Sequence, residues 1–262
     1  MCYSDGERPP APPRVTGSAD GTDLTLTADD GNRFAAYQAT PERPTGTRIV
    51  LLPDTHGLVP FYKELAMMFA TTGSITLAID YFGRTAGPDA HDADWAFDSH
   101  ADELRRDTLL RDVRAAVQHL DDGSGPLFLV GFCMGGGTAL HAGTTDLGLA
   151  GIVAFYPWIG ELGKDPALPE DFVTGLRYPL LGLFGGADAF VPTAVPHSLD
   201  EQLDRAGVSH EIVIYRDRPH GFFEMHHLGR EGHGGAANDA WRRLLEFLER
   251  RSLDTDSGHR RS

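Results

Sequence analysis

Cys133, Asp188 and His220 are residues whose types and order could carry out covalent catalysis. Cys133 stands in the run Gly131-Phe132-Cys133-Met134-Gly135, and this G-x-C-x-G spacing is typical of a sharp turn that exposes a nucleophile between a strand and a helix. In such a site the sulfur attacks a carbonyl carbon, a histidine takes and returns the proton, and an aspartate orients the imidazole. The sequence therefore predicts Cys133 as the nucleophile, His220 as base and acid, and Asp188 as the partner of the histidine.

Each of these three residues also has a simpler interpretation. A lone cysteine between a strand and a helix is commonly a small buried apolar residue. Asp188 could cap the helix that follows it, and His220 is one of 12 histidines, most of which have no catalytic role. The joint pattern favours catalysis, because all three residues follow predicted strands and stand in the order nucleophile, acid, histidine.

Short apolar runs precede the three residues and alternate with helical patterns along the chain. The three runs are Leu127–Val130, Tyr178–Phe184 and Glu211–Tyr215. Further strands are predicted over 33–38, 48–52, 75–79 and 149–155, and helices over 60–70, 100–120, 196–206 and 236–250. Another helix, rich in small residues, is predicted to follow the Gly131–Gly136 segment and to end at about Thr144. This alternation predicts an α/β fold with a mostly parallel central sheet and helices on both faces. Such sheets bind ligands beyond the carboxyl ends of their strands, which is where the three residues are expected.

The composition of the 262-residue chain limits the other classes of function. We expect one domain over 21–250 between disordered tails at 1–20 and 251–262, because both ends are rich in polar and charged residues. The net charge of −15 argues against nucleic-acid binding. No apolar run could span a membrane or form a signal peptide. We therefore expect a cytoplasmic protein, monomeric or homodimeric, whose two cysteines form no disulfide framework.

The chain resembles the dienelactone hydrolase family of α/β-hydrolases from about residue 45 to about residue 250. Three segments carry the resemblance: Gly131–Gly136, Phe184–Pro192 and His220–Phe222. The resemblance implies a single-domain α/β-hydrolase fold and a catalytic triad of Cys133, His220 and Asp188. It also implies hydrolysis of a small-molecule ester or lactone through an acyl-cysteine intermediate, without a metal or a cofactor.

Further site residues surround the proposed nucleophile. A helix N-terminus after Cys133 favours negative charge, so we expect a lowered thiol pKa there and an oxyanion donor in the Met134 amide. The family has an acidic residue after an early strand that holds the resting thiol, and Asp54 takes that place in this sequence. The Thr55 amide would then be the second oxyanion donor. The alternative is that this segment forms a plain turn.

The substrate contacts implied by the sequence are aromatic. Tyr156 matches a family tyrosine beside the pocket, and Trp95 and Phe222 are further candidates, although each could instead pack in the core. The archetypal family member binds a substrate carboxylate with arginines, one of them four residues after the catalytic histidine. Here that position is Glu224, and the loop over 83–98 is acidic. We therefore expect a neutral or apolar substrate rather than a small anion.

Two other functions are compatible with the sequence. A family member recruited to biosynthesis could cyclise or dehydrate a larger metabolite, or open its lactone ring. A non-catalytic binding domain could use the same scaffold, because a fold does not determine a function. Metal binding is not expected, because His226, His227 and His233 match no familiar spacing of zinc ligands.

Overall fold

Eight strands form one sheet in the computed structural model, which describes residues 8–89, 91–92, 95–160, 168, 172–225 and 233–259. The strands are β1 (Ala19–Thr27), β2 (Arg33–Pro41), β3 (Arg48–Leu52), β4 (Ile75–Ile79), β5 (Leu127–Phe132), β6 (Gly151–Phe155), β7 (Leu180–Gly185) and β8 (His210–Tyr215). Their order across the sheet is β1-β2-β4-β3-β5-β6-β7-β8. β2 runs antiparallel to β1 and to β4, and the pairings from β4 to β8 are parallel. The predicted fold class is therefore confirmed.

Helices cover both faces of this sheet. They are α1 (Pro60–Thr71), α2 (Asp98–Ala101), α3 (Arg106–Leu120), α4 (Met134–Ala142), α5 (Ala194–Ala206) and α6 (His233–His259), with a short 3-10 helix at Phe172–Gly175. One apolar core joins α1 and α6 to the sheet, and a second core joins α3, α4 and α5 to it. In β3, Ile49 and Leu51 enter the first core, whereas Val50 and Leu52 enter the second. A strand covered on both faces must be apolar at successive positions, as this one is. Among the described helices, none combines the length and apolar character needed to cross a membrane.

The sequence pattern does not predict β1, which lies at one edge of the sheet. It pairs only with β2, and most of its residues are exposed. Leu26 is its one buried residue, and Leu24 is half-buried. An edge strand with a solvated face needs few apolar residues, so β1 carries no apolar run that could reveal it.

The single helix predicted over 100–120 is wrong, because the chain forms two helices there. Arg105 has the extended backbone angles φ −126 and ψ 134 directly before α3 begins. Leu104 enters the same core as the apolar residues of α3, so apolar spacing alone does not reveal the break. At the two ends of the chain, β1 begins at Ala19 and α6 ends at His259, beyond the expected boundaries at 21 and 250. Residues 19–20 and 251–259 therefore belong to regular elements, and the disorder expected for the rest of the two tails stays a prediction.

The carboxyl ends of the parallel strands meet at one edge of the sheet. The residues that follow these ends are Asp54 after β3, Cys133 after β5, Tyr156 after β6, Asp188 after β7 and His220 after β8. Parallel pairing thus gathers residues that lie far apart in the sequence. This edge is where a candidate site can be built.

Candidate active site

Cys133 occupies the turn between β5 and α4. Its backbone angles, φ 50 and ψ −113, are rarely adopted by residues other than glycine and cost on the order of 1–3 kcal/mol. Three hydrogen bonds hold the turn: Cys133 N–H donates to Phe155 O (2.9 Å), and Cys133 O accepts from Gly137 N–H and Trp158 N–H (both 3.0 Å). Backbone strain of this kind is typical of a side chain that is held for function.

Two glycines allow this turn to pack against its surroundings. A Cβ atom added at Gly131 would lie 2.3 Å from Gly135 O. One added at Gly135 would lie 2.2 Å from the carbonyl oxygens of Leu52 and Pro53. Such distances are shorter than any ordinary contact, so α4 can begin against the end of β3 only where there is no side chain. The glycine spacing seen in the sequence therefore brings the elbow against the loop that carries Asp54.

His220 and Asp188 form a hydrogen-bonded pair. His220 Nδ1 lies 2.8 Å from Asp188 Oδ2, and both side chains are buried. The other carboxylate oxygen, Asp188 Oδ1, accepts the backbone N–H groups of Phe190 (2.7 Å) and Val191 (2.8 Å). These bonds fix the carboxylate, which can in turn fix the ring and its tautomer. The simpler interpretation of Asp188 as a helix cap is wrong, because the capping position of α5 is Thr193.

The surroundings of Cys133 favour the neutral thiol over the thiolate. Burial, followed by the negative charges of Asp54 and Glu224, raises the pKa of the Cys133 thiol well above its ordinary value. A hydrogen bond from the Met134 backbone lowers this pKa by a smaller amount. The expectation of a lowered thiol pKa is therefore wrong, because loss of solvent and nearby carboxyl groups outweigh the helix N-terminus. In the described part of the chain, the thiol makes no side-chain hydrogen bond to His220 or Asp54.

Asp54 is fully buried in the turn after β3. Its Oδ1 accepts the His56 backbone N–H (2.9 Å) and lies 3.0 Å from His56 Nδ1. Its Oδ2 has no hydrogen-bond partner among the described residues. One oxygen therefore holds the turn, and the other remains available to a neighbour. The Thr55 N–H donates to no acceptor in the described residues, which suits an oxyanion donor.

Glu224 is fully buried, although its sequence position suggested a charge facing the substrate. The Tyr62 hydroxyl donates to Glu224 Oε1 (3.3 Å), and the Tyr156 hydroxyl donates to Glu224 Oε2. Burial, followed by the charge of Asp54, raises the pKa of Glu224 to about 8. Most of this carboxyl is therefore protonated at neutral pH. A charge assigned from the sequence could not include this effect, because it depends on neighbours from other segments.

Tyr156 and Phe222 form part of the aromatic packing behind the histidine. Tyr156 is fully buried, and its ring centroid lies 4.9 Å from that of His220. Phe222 is also fully buried, with its ring centroid 5.5 Å from that of Tyr156 and 4.8 Å from that of Tyr215. The structure thus places Tyr156 beside the histidine and gives Phe222 a packing role. Their contacts with a substrate stay predictions.

Trp95 and Phe190 are aromatic residues that contact residues around the candidate site. The Trp95 indole N–H donates to His56 O (2.9 Å), and its ring stacks on His91 with centroids 3.7 Å apart. Trp95 therefore braces the loop that carries Asp54. Phe190 is 56% exposed, with its ring centroid 5.3 Å from that of His220, and suits an apolar substrate contact. Sequence reasoning missed Phe190, whose one signal was its place two residues after Asp188.

No group of three or more His, Cys, Asp or Glu side chains that could hold a metal ion occurs among the described residues. His226 and His227 lie outside the described residues, and so does the side chain of His233. The reactive groups that the described residues assemble are the sulfur of Cys133, the imidazole of His220 and the carboxyl groups around them.

Comparisons with known proteins identify the family and the fold of the chain. The model of the dienelactone hydrolase family matches residues 34–252. A carboxymethylenebutenolidase of Rhodococcus opacus is 28% identical over 252 residues, which cover 95% of this chain and 97% of the relative. A solved "putative dienelactone hydrolase" from Klebsiella pneumoniae has a TM-score of 0.75 at 23% identity, covering 89% of this chain and 99% of its own. A dienelactone hydrolase-like promiscuous phosphotriesterase from metagenomic libraries has a TM-score of 0.73 at 21% identity, with the same coverage of 89% and 99%. At these identities the two structures show likeness of fold alone.

Proposed function

The chain belongs to the dienelactone hydrolase family, and from that premise we propose that it hydrolyses an ester or lactone through an acyl-cysteine intermediate on Cys133. The observation that carries the proposal is the strained elbow of Cys133 at the same sheet edge as the His220–Asp188 pair. The substrate is a small ester or lactone, in keeping with the carboxymethylenebutenolidase relative. A cytoplasmic location and a monomeric or homodimeric state stay predictions.

Acylation begins from the neutral thiol. His220 Nε2 accepts the proton of Cys133, and the sulfur attacks the carbonyl carbon of the substrate. The resulting oxyanion receives the backbone N–H groups of Met134 and Thr55. When the tetrahedral intermediate collapses, the carbon–oxygen bond to the leaving group breaks, and His220 gives its proton to the departing oxygen. The products are a thioester on Cys133 and an alcohol or enol, which stays attached when the substrate is a lactone.

Deacylation returns the enzyme to its resting state. His220 accepts a proton from water, and the hydroxide attacks the thioester carbonyl. The carbon–sulfur bond then breaks, and the sulfur recovers a proton from His220, so that the atoms of one water molecule are consumed. Asp188 keeps the ring oriented throughout and stabilises its charged form. The thiol makes no hydrogen bond to Asp54 in the structure, but we propose Asp54 Oδ2 as the acceptor that holds it before the substrate arrives, because this oxygen is buried and has no partner among the described residues.

The test of this function is the variant Cys133→Ala, with Cys2→Ala as its control. Cys133→Ala should abolish hydrolysis across a panel of lactones and aryl esters, whereas Cys2→Ala should keep the wild-type rate. Mass spectrometry of the quenched wild-type reaction should show the acyl group on Cys133, and iodoacetamide should block it. Equal loss of activity in both variants would contradict the assignment. Product formation that survives the loss of Cys133 would favour a recruited cyclisation or dehydration instead.

A further inference from the structure

Glu224 is a buried carboxyl that these reaction steps do not use. Its two oxygens accept hydroxyl groups from two separate elements, Tyr62 on α1 and Tyr156 after β6. We propose that Glu224 is a positioning residue, which joins these tyrosines into a clasp beside the nucleophile. The clasp thereby fixes the loop that carries the Thr55 amide and the imidazole ring of His220. The three residues are called the tyrosine clasp below. The inference rests on the proposed function of Cys133.

One arm of the tyrosine clasp reaches the loop after β3. Tyr62 is fully buried; its hydroxyl donates to Glu224 Oε1 (3.3 Å) and accepts the backbone N–H of Asp54 (3.1 Å). The Asp54 amide directly precedes the Thr55 amide, which is a proposed oxyanion donor. Loss of the carboxyl would remove an acceptor that orients the Tyr62 hydroxyl towards this loop. Small displacements of an oxyanion donor are costly, because catalysis depends on its placement.

The other arm of the tyrosine clasp reaches the histidine. Tyr156 has a φ of 35, in the region that residues other than glycine rarely adopt. Its backbone N–H donates to Leu183 O (2.7 Å), and its hydroxyl donates to Glu224 Oε2. A strained conformation persists only where several contacts determine it. The hydrogen bond to Glu224 is one of these contacts. It holds the Tyr156 ring, whose centroid lies 4.9 Å from that of the His220 ring.

Protonation of Glu224 makes the tyrosine clasp sensitive to pH. Burial and the Asp54 charge raise the pKa of Glu224 to about 8, so the carboxyl ionises just above neutral pH. The added negative charge would lie near Asp54 and would oppose both the thiolate and the oxyanion. The groups that face Glu224 or act on it are Asp54 after β3, Tyr62 on α1, Cys133 at the elbow and Tyr156 after β6. Activity should therefore fall as the pH rises through about 8.

The experiment compares Glu224→Gln and Glu224→Ala with the control Glu201→Gln, which changes an exposed residue of α5. For each protein, kcat and KM on p-nitrophenyl acetate and the rate of Cys133 alkylation by iodoacetamide are measured from about pH 6 to about pH 9.5. A glutamine amide can accept one tyrosine hydroxyl and donate to the other. Glu224→Gln should therefore keep kcat near neutral pH within about threefold. It should also lose the fall near pH 8 and alkylate faster than the wild type above that pH.

Glu224→Ala should lower kcat by about tenfold or more at a similar KM, whereas Glu224→Gln should not show this loss near neutral pH. If the alanine variant does not fold, Tyr156→Phe replaces it, because this change removes one hydroxyl and keeps the ring; the same loss of kcat is expected. Thermal unfolding checks that each variant is folded.

A Glu224→Gln profile that retains the wild-type alkaline fall would overturn the inference. So would a wild-type kcat in a folded Glu224→Ala or Tyr156→Phe protein. These outcomes differ from failure of the proposed function, which would appear as hydrolysis by Cys133→Ala.

Discussion

Asp54, Glu224 and Cys133 lie close enough for the charges of the two acids to act on the thiol, and all three side chains are shielded from water. Two carboxyl groups that share a dry site resist simultaneous ionisation. Glu224 carries the proton at neutral pH, as its pKa of about 8 indicates. Asp54 differs in having an oxygen without a partner among the described residues. The two acids therefore have different roles. Glu224 binds the hydroxyl groups of Tyr62 and Tyr156, whereas Asp54 offers a hydrogen-bond acceptor to the thiol.

Asp54→Asn separates the effect of charge from the effect of the turn. The asparagine Oδ1 can still accept the His56 backbone N–H, so the turn should survive. Loss of the negative charge should lower the thiol pKa, and the resting Cys133 should react with iodoacetamide a few times faster. Turnover should fall by about tenfold, because the thiol loses the acceptor proposed to hold it. An unchanged alkylation rate together with full turnover would reduce Asp54 to a turn residue.

Asp188→Asn tests the histidine pair with little risk to the fold. The asparagine Oδ1 can keep the two bonds from Phe190 N–H and Val191 N–H. The other side-chain atom becomes an amide donor, which favours the wrong tautomer of His220. We expect kcat to fall by about a hundredfold or more at a similar melting temperature. A variant that keeps wild-type kcat would show that the pair does not take part in the reaction.

At the scale of elements, the start of α4 and the end of β3 meet at their backbones. Leu52 of β3 pairs in register with Gly131 of β5 in this parallel ladder. The register places the loop with Thr55 beside the elbow with Met134. The two proposed oxyanion donors thus follow the ends of two neighbouring strands, β3 and β5. The distance between them depends on the tight backbone contact that the glycines allow.

Gly135→Ala should disturb this contact. The new Cβ atom would lie 2.2 Å from two carbonyl oxygens of the β3 end, so the backbone must move. We expect the free energy of unfolding to fall by about 1–3 kcal/mol. We also expect kcat/KM of the folded protein to fall, because the two oxyanion donors are displaced. The control is Gly235→Ala on α6, where a Cβ atom meets no neighbour and alanine favours the helix. Thermal unfolding and kcat/KM measure both; equal behaviour of the two variants would refute the packing argument.

At the scale of the whole molecule, the net charge of −15 acts on any charged substrate. A local repulsion by Glu224 was expected to add to this field. The structure removes most of that local effect, because Glu224 is buried, bound by two tyrosines and mostly protonated at neutral pH. What remains is a long-range repulsion, which dissolved salt screens over a distance of about 10 Å at 0.1 M.

Substrate charge should therefore matter more at low salt than at high salt. We expect kcat/KM for a neutral aryl ester to change little with ionic strength, whereas kcat/KM for the anion dienelactone should rise severalfold as salt is added. Steady-state kinetics with both substrates at low and high salt provide the comparison. If dienelactone is the better substrate by a wide margin at every salt concentration, a basic group must line the pocket and the charge argument fails.

The order of apolar runs and reactive residues was enough to predict the parallel sheet and the common edge at which Cys133, Asp188 and His220 lie. These features follow from local patterns, because a buried strand must be apolar and a turn with close backbone contact needs glycine. An exposed edge strand such as β1 leaves no apolar pattern, and a break such as that at Arg105 does not disturb apolar spacing. Both therefore escaped prediction.

By itself, the sequence determined which groups could react and which strands they follow. Only the tertiary structure decided their protonation, because desolvation and Coulomb interactions depend on neighbours that lie far away along the chain. Burial, followed by the negative charges of Asp54 and Glu224, raises the pKa of the Cys133 thiol well above its ordinary value. Glu224 is mostly neutral and faces Tyr62 and Tyr156, which are 162 and 68 residues away from it in sequence. No local pattern encodes such a meeting, since it arises only when the parallel strands bring their carboxyl ends to one edge.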